Sequence, residues 1–524
     1  MSKRTLADDE ASAAQAATHA RVGSGAAPGA AAGGDGEVEM GEFEDAFEDE
    51  MESDEGEVVD AAGEEDAVME LDGVPLSDRI HQLDAEDEAP GAPVETYMPG
   101  AKPLADGQTL VPDQSAYDML HRMNVTWPCL SFDFLRDSLG TQRQTFPHTA
   151  YVVSGTQADV AKNNEIIVMK ASAMHRTSRD DALSDDDDDD GDVDEDAVLE
   201  FRSIPHLGGV NRVRAAPTAA PTGATELCLD PYPVASWSET GKVPIWDVRP
   251  LYNALSEPGT TLDRKKVNAP MYTVEAHRGV EGFAMDWGGI LGGGGGRGGH
   301  LRLLTGDVHG KIFLTTSNNT GFSTHASPFE SHTSSVEDLQ WSPAEPTVFA
   351  SCSADRSIRV WDVRVKSHRA AIAVGEAHSQ DVNVISWNRG TQYLLLSGGD
   401  EGALKVWDMR AFKPQGAPAT PVANFEWHQG PISSVEWNAD EDSIFAAAGG
   451  DDQVTIWDLA VEHDQEEDAS QLPRAPNGEP LPSQLLFCHH GASEVKEVHW
   501  NPQIPGMLGT TSADGFHFFK TISV

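Results

Sequence analysis

The carboxyl-terminal part of the chain repeats one spacing of apolar and polar residues. In three successive units a histidine is followed by aliphatic residues 4 and 7 positions later and by a tryptophan 9 positions later. A second tryptophan, followed by aspartate, lies 29 residues after each histidine. The histidines and second tryptophans are His332 and Trp361, His378 and Trp407, and His428 and Trp457. Agreement at so many positions is far beyond chance, so this part of the chain is built from a repeated unit.

Weaker copies of the unit extend the repeat toward both ends. They begin at His206, His277 and His490, and in the last two Thr315 and Phe519 stand where the second tryptophan is expected. Six copies are therefore visible. The strand-like segments TAYVVSG and EIIVMKAS, with a further strand near Phe132, predict a seventh beside the carboxyl-terminal strands. Closing the ring in this way removes exposed strand edges.

A different pattern precedes the repeats. Ser115 and Asp118 have the spacing of a helix capping box, and Ala116, Met119, Leu120 and Met123 follow at helical spacing. The sequence therefore predicts a short amphipathic helix within residues 96–128, docked on a repeat domain that spans residues 129–524. The segment TWPCLSFDFL alternates apolar and polar residues, as a half-buried strand does.

Charge separates the chain into a near-neutral body and two acidic segments. The 86 acidic residues outnumber the 36 lysines and arginines, for a net charge of -50. Residues 1–100 hold 28 acids and 4 bases, and residues 180–200 hold 13 acids and no base. Residues 1–95 have too few apolar groups to offset the entropy of ordering, so we expect a disordered tail. Residues 174–198 are predicted to form an acidic loop, and the Gly-rich residues 288–299 a flexible loop.

The composition and the motifs argue against several classes of protein. No apolar run approaches the roughly 18 residues of a membrane span, and strong negative charge disfavours direct, sequence-specific binding to nucleic acid. Four cysteines are scattered without the CxxC spacing of a zinc site, which favours a reducing, intracellular compartment. No catalytic, metal-binding or cofactor-binding motif is present, so we expect a non-enzymatic protein without a cofactor.

The repeat resembles the WD-repeat β-propeller, whose unit folds into a four-stranded blade. This resemblance implies an all-β fold, a seven-bladed WD-repeat β-propeller with an N-terminal helix and disordered acidic segments. It also implies that the repeated polar residues join in buried hydrogen bonds within each blade and serve structure rather than catalysis. These blade residues are His332, Asp355, Trp361, His378, Trp407, His428 and Trp457.

A narrower resemblance begins at Val94. An acidic tail, then ETYMPGAKPLADGQTLVPDQSAYDMLHRMNVTWPCLSFDFLRD, then FPHTAYVVSGTQAD and the acidic loop is similar to the glutamate-rich WD-repeat family of ribosome-assembly chaperones. The family implies a monomer in the nucleus and nucleolus that binds a newly made, basic large-subunit ribosomal protein of the universal L-three type. It also implies delivery of that client to early pre-60S particles, with the cytoplasm as a further place of capture.

The predicted helix and TWPCLSFDFL also resemble the histone-binding WD-repeat chaperones, which makes a histone the alternative client. By that resemblance Tyr117, Leu120 and Met123 line the client-binding helix. Acidic client-binding residues are predicted in the loop and in the tail segment EFEDAFEDEM, where Phe43, Phe47 and Met51 form one apolar stripe. These acids are Asp185, Asp186, Asp187, Asp188, Asp189, Asp190, Glu42, Glu44 and Asp45.

A third hypothesis concerns the tripeptides that end the repeats. WDVR at Trp246, WDVR at Trp361 and WDMR at Trp407 match a short motif of substrate receptors for cullin-RING ubiquitin ligases. Arg249, Arg364 and Arg410 would then contact the ligase adaptor. Arginine is also a common residue at a blade edge, which is the simpler explanation of so short a motif.

Overall fold

The structure is a computed structural model. It describes residues 112–177, 196–217, 231–291, 300–413, 419–462 and 481–524, together with the strands β1 (Glu70–Leu71) and β2 (Val74–Pro75). The chain divides into two compact units, Met1–Tyr97 and Met98–Val524. In the first, β1 pairs with β2 in antiparallel orientation. The second unit begins, in its described part, with a 3-10 turn at Gln114–Ala116 and the strand β3 (Tyr117–Met123).

The remaining described strands form antiparallel sheets, which we call blades 1 to 7 in chain order. Blade 1 contains β4 (Cys129–Leu135), β5 (His148–Thr156), β6 (Glu165–Met174) and β7 (Val198–Pro205). Blade 2 contains β8 (Val210–Ala215), β9 (Pro233–Ser238), β10 (Val243–Asp247) and β11 (Tyr272–Val274). Blade 3 contains β12 (Gly282–Leu291), β13 (His300–Asp307), β14 (Lys311–Asn318), β15 (Gly321–Thr324) and the extra strand β16 (Phe329–Glu330).

The other four blades follow the same order. Blade 4 contains β17 (Val336–Trp341), β18 (Val348–Ser353), β19 (Ile358–Asp362) and β20 (Ile372–Val374). Blade 5 contains β21 (Val382–Trp387), β22 (Leu394–Gly399), β23 (Leu404–Asp408) and β24 (Ala423–Phe425). Blade 6 contains β25 (Ile432–Trp437), β26 (Ile444–Gly449), β27 (Val454–Asp458) and β28 (Leu485–His489). Blade 7 contains β29 (Glu497–Trp500), β30 (Met507–Ser512), β31 (Gly515–Thr521) and β3.

Helical segments are short and lie between strands. The helices α1 (Arg249–Ser256) and α2 (Arg264–Val267) connect β10 to β11. Single 3-10 turns occur at Ala161–Asn163 and Met409–Ala411. None of the helices in the described ranges has the length and apolar character that crossing a bilayer requires.

The blades form a closed ring. We call the first strand of each blade its inner strand, because each one contacts the inner strands of both neighbouring blades. The contacts run from β4 through β8, β12, β17, β21 and β25 to β29, and from β29 back to β4. The architecture is therefore a seven-bladed β-propeller, as the repeat predicted. We call the face at which the inner strands end the lower face.

The predicted amphipathic helix is wrong. Tyr117–Met123 is a strand that pairs with β31 and forms the outer strand of blade 7. Tyr117, Met119 and Met123 are buried in alternation with more exposed residues, which is the period of a strand. The propeller therefore begins at Tyr117 and not at residue 129, and its last blade joins strands from both ends of the second unit.

The core lies between neighbouring blades. Where the ring closes, one apolar cluster combines Met119 of β3, Phe132 and Met169 of blade 1, and Phe516 and Phe518 of blade 7. All five side chains are buried. Because β3 contributes to this cluster as well as to the sheet, it fastens the ring through apolar packing and through backbone hydrogen bonds.

The two predicted loops keep their places in the fold. Strand β6 ends at Met174 and β7 begins at Val198, so the acidic segment connects the last two strands of blade 1. Strand β12 continues to Leu291, and the Gly-rich loop is accordingly shorter at its start than the predicted 288–299. Residues 178–195 and 292–299 lie outside the described ranges.

Candidate functional site

A chain of buried hydrogen bonds crosses blade 4. The indole Nε1–H of Trp361 donates to Ser351 Oγ at 2.8 Å, and Ser351 Oγ lies 2.6 Å from His332 Nε2. On its other side, His332 Nδ1 lies 3.0 Å from Asp355 Oδ2. Burial lowers the pKa of His332, whereas the bond from His332 outweighs burial and lowers the pKa of Asp355. The imidazole is therefore neutral and the carboxylate is charged, so both ring nitrogens are committed to structure.

Blades 5 and 6 carry the same chain with changed partners. In blade 5, His378 bonds Ser397 and Glu401, and Trp407 donates to Ser397. Glu401 thus replaces the aspartate of blade 4. In blade 6, His428 bonds Thr455 and Asp451, and Trp457 donates to Thr455. Every histidine in these three chains has both nitrogens occupied, which leaves none available as a general base.

Blade 7 uses a different histidine from the one that the repeat indicated. His489, and not His490, is buried in the blade, where it stacks on Phe519 at a centroid distance of 4.3 Å. Its Nε2 lies 3.0 Å from Nδ1 of His517, and its Nδ1 lies 2.8 Å from the hydroxyl of Tyr117. Tyr117 belongs to β3, so this cluster joins the closing strand to blades 6 and 7. The repeat pattern missed it because the insertion before Trp500 shifts the alignment by one residue.

A second set of hydrogen bonds links the inner strands to one another, and the repeat pattern did not reveal it. The residue before the inner tryptophan in one blade accepts from the backbone N–H of the tryptophan in the next blade. The bonds run from Trp341 to Asp286, from Trp387 to Gln340, from Trp437 to Ser386 and from Trp500 to Glu436. In blade 1, Asp133 accepts from Ala215, the corresponding residue of blade 2. A polar side chain recurs at this position because each inner strand would otherwise leave an N–H group buried without a partner.

The strongest of these links is Glu497, where blades 7, 1 and 2 meet. Its carboxylate accepts from Arg212 at 2.8 Å, from Arg214 at 2.7 Å and from the backbone N–H of Phe132 at 2.8 Å. Burial alone would raise the pKa of Glu497, but Arg214, His499 and Arg212 hold it well below its usual range. The carboxylate therefore stays charged and ties three blades together at the point of ring closure.

The imidazole of His499 gives this network a pH dependence. Although burial opposes the charged form, Glu436 and Glu497 raise the pKa of His499 to about 9. An unfolded histidine titrates near 6.5. The charged imidazole therefore stabilises the fold fully below about pH 6.5, and this contribution is lost as the pH rises through about 9. We expect His499→Gln to show a smaller loss of stability over that interval than the wild type in urea unfolding measured across pH. Parallel profiles would contradict the assignment.

The inner strands surround a channel of about 270 Å³. Charged groups of both signs line it, among them Arg136, Arg214, Asp338, Arg389 and Glu436. The described residues contain no group of three or more His, Cys, Asp or Glu side chains arranged to hold a metal ion. The charged groups serve the links between blades described above, which is a structural use of the channel.

The predicted client-binding helix residues lie elsewhere than expected. Tyr117 and Met123 are buried in the core around β3, so they are not available to a client, and Leu120 is half-buried. The prediction that these three residues line a binding helix is wrong, because the segment pairs with β31 instead. The acids of the tail, Glu42, Glu44 and Asp45, and those of the loop, Asp185 to Asp190, lie outside the described residues.

The start of the acidic loop is nevertheless well defined. The backbone N–H of Thr177 donates to the carbonyl of Asp118 at 3.0 Å, and the N–H of Leu120 donates to Thr177 Oγ1 at 2.8 Å. The carbonyl of His175 lies 2.9 Å from His121 Nε2. Residues 175–177 thus cover the outer edge of β3. The loop is anchored on the strand that closes the ring, at the lower face.

The three arginines of the repeat-ending motif do not share one arrangement. Arg364 and Arg410 are exposed, and each forms a two-pronged ion pair with the aspartate of its own motif, at 2.6 Å from Asp362 and Asp408 respectively. Arg249 instead begins α1 and lies over the ring of Tyr252 at 5.4 Å. A role for these arginines in adaptor binding stays a prediction.

The ring of blades and the buried His–Ser/Thr–Trp chains define a WD-repeat β-propeller. The model of the WD domain, G-beta repeat, matches residues 323–362, 371–408 and 419–458. A second model, which describes the histone-binding protein RBBP4 and a component of the CAF1 complex, matches residues 107–175. That second match covers β3 and most of blade 1.

Relatives are similar over nearly the whole chain. Ribosome assembly protein rrb1 of Schizosaccharomyces pombe is 43% identical over 489 residues, which cover 93% of this chain and 94% of the relative. Glutamate-rich WD repeat-containing protein 1 of Dictyostelium discoideum is 46% identical, with 84% and 86% covered. Protein HEAT STRESS TOLERANT DWD 1 of Arabidopsis thaliana is 40% identical, with 83% and 93% covered. The chain belongs to this family of glutamate-rich WD-repeat proteins, which includes a ribosome assembly protein.

Proposed function

We propose that this protein is a non-enzymatic ribosome biogenesis factor that chaperones a newly made, basic protein of the large ribosomal subunit. The observation that carries the proposal is the acidic loop of blade 1, anchored through Thr177 on the closing strand of a rigid ring. The name of the relative rrb1, a ribosome assembly protein, supports the same role. A client of the universal L-three type, delivered to early pre-60S particles in the nucleus and nucleolus, is the specific form of the proposal.

The physical basis is charge complementarity. A run of six aspartates within 13 acids carries a high negative potential that extends about 8 Å at physiological ionic strength. Such a field attracts a cationic polypeptide and raises its association rate. Binding to the loop also shields the client's positive charges from nucleic acid. The ring provides the fixed surface on which shorter contacts then form.

Replacing Asp185 to Asp190 by asparagine is expected to weaken binding of a copurifying basic ribosomal protein by at least about tenfold, or 1.4 kcal/mol. The reason is the loss of six negative charges from one anchored segment. The measurement is affinity purification of the tagged full chain at low and high salt, with the bound chains identified and quantified. Higher salt should also release the client, because screening weakens the attraction.

A matched control separates local charge from net charge. Replacing six exposed glutamates elsewhere by glutamine changes the net charge equally and should leave client binding nearly unchanged. Suitable positions are Glu257, Glu275, Glu345, Glu376, Glu426 and Glu441. Equal losses in the two variants would contradict a specific role for the loop, and salt-insensitive capture of neutral proteins would contradict the chaperone function.

A histone is the second candidate client. The observation in its favour is the match of residues 107–175 to a histone-binding model. The same purification distinguishes the two candidates. Core histones as the stoichiometric partner would favour the histone, whereas a large-subunit ribosomal protein would favour ribosome assembly.

A further inference from the structure

The outer strand of blade 1 has an edge unlike those of the other blades. Strand β7 has eight residues, whereas the outer strands of blades 2 to 6 have three to five. The outer strand of blade 7, β3, has seven residues, but residues 175–177 cover its edge. In the described part of the chain, β7 pairs with β6 alone. Long open edges are usually covered in proteins, because their unpaired backbone groups can recruit another strand.

The hydrogen bonds show which backbone groups of β7 point outward. The N–H of His206 donates to the carbonyl of Asn164 at 2.8 Å, which places the even-numbered residues of β7 in the ladder with β6. The odd-numbered residues therefore point away from β6. The carbonyl of Ser203 agrees, since it accepts from Arg264 Nη1 at 3.0 Å. Pro205 agrees as well, because proline is tolerated where no ladder donor is needed.

The first half of this edge remains open. Arg264 covers the carbonyl of Ser203, and the carbonyl of Phe201 accepts only the neighbouring Arg202 Nη1, at 2.8 Å. No described residue is hydrogen-bonded to the outward N–H groups of Leu199 and Phe201. The side chain of Phe201 is 50% exposed. An open edge with an exposed aromatic residue offers both backbone and apolar contacts to a partner strand.

The charge around this edge selects the partner. Strand β7 begins where the acidic segment ends, and Asp196 and Glu200 extend the negative charge to the strand itself. Only a cationic polypeptide gains from this field, and only an extended one can match the open backbone groups. Strand addition of this kind is a known mode of peptide recognition, in which main-chain hydrogen bonds give affinity.

We propose that the outer edge of β7 binds an extended, basic segment of the client as an additional strand of blade 1. The proposal rests on the proposed chaperone function and names the surface that would grip the client. Backbone groups of Leu199 and Phe201 pair with the client strand, and its lysines or arginines face the acids of the preceding loop. Capture by charge and fixation by strand pairing would then act at adjoining places.

Two probe peptides test the proposal with the full chain. One peptide alternates lysine and valine, and the other has the same sequence with methylated valine nitrogens, which keep the charge but cannot pair as a strand. We expect the unmodified peptide to bind at least about tenfold more tightly in fluorescence anisotropy, since it alone gains several hydrogen bonds. Its addition should also slow amide exchange at Leu199 and Phe201.

Variants of Phe201 assign the difference to this edge. Phe201→Pro removes the outward N–H without losing a bond to β6, and it should abolish the preference for the unmodified peptide. Phe201→Thr also removes the ring but keeps the N–H, so the preference should remain. Equal binding of both peptides to the wild type, still weakened by Asp185 to Asp190→Asn, would overturn strand addition and leave charge-based capture standing. Binding of neither peptide would overturn the proposed function itself.

Discussion

Replacing Glu497 by alanine is expected to lower the free energy of unfolding by about 3–5 kcal/mol, the usual cost of leaving buried charges without their partner. The carboxylate is 2% exposed and accepts hydrogen bonds from Arg212, Arg214 and the backbone of Phe132. Its removal leaves two guanidinium groups and one N–H unpaired where blades 7, 1 and 2 meet. Urea unfolding followed by tryptophan fluorescence measures the change.

The exposed Glu441 provides the control for Glu497. Glu441→Ala should change the free energy of unfolding by no more than about 0.5 kcal/mol. Glu497→Gln keeps the shape of the side chain but loses its charge, so its cost should fall between the two. If Glu497→Ala were no more destabilising than the control, the carboxylate would not be the tie between blades that its hydrogen bonds indicate.

Replacing Met119 by alanine is expected to cost about 2–5 kcal/mol, as large-to-small changes in a well-packed core do. Met119 is fully buried and packs with residues of blades 1 and 7. The cost arises from lost apolar burial and from a cavity at the point where the ring closes. Thermal and urea unfolding of the full chain measure it.

Leu139→Ala is the control for Met119, because this leucine is 56% exposed on a loop of blade 1. Its replacement should be nearly neutral. A near-neutral Met119→Ala would mean that β3 adds little to the ring, and that closure depends on the inner strands alone.

The blades could be predicted from the sequence because their signals are local. The distance from His332 to Trp361 lies within one unit and recurs in the next two, so alignment of the units reveals it. The seventh blade followed from ordinary strand patterns such as TAYVVSG, together with the need to close the ring. Strands β5 and β6 occupy those segments.

The nature of residues 117–123 could not be predicted in the same way. Apolar residues at positions 116, 119, 120 and 123 fit a helix, while Tyr117, Met119 and Met123 fit one face of a strand. Pairing with β31 decides between them, and that partner lies at the far end of the chain. Tertiary context therefore overrode a local pattern that was ambiguous.

The links between inner strands had a signal that went unused. Gln340, Ser386 and Glu436 all precede an inner tryptophan, a position otherwise expected to follow the chemistry of its own blade. Their polarity becomes intelligible only when neighbouring blades are placed side by side, since each accepts from the next tryptophan. The side chains differ because the position requires an acceptor and not one particular residue.

The pairing of β3 with β31 also sets the order of events during synthesis. Strand β3 is the first propeller strand to leave the ribosome and β31 the last, so blade 7 stays incomplete until translation has passed Thr521. The anchor of the acidic loop on β3 consequently reaches its final position only in a finished molecule. A nascent copy would thus carry its negative charge before it has a fixed platform for cargo.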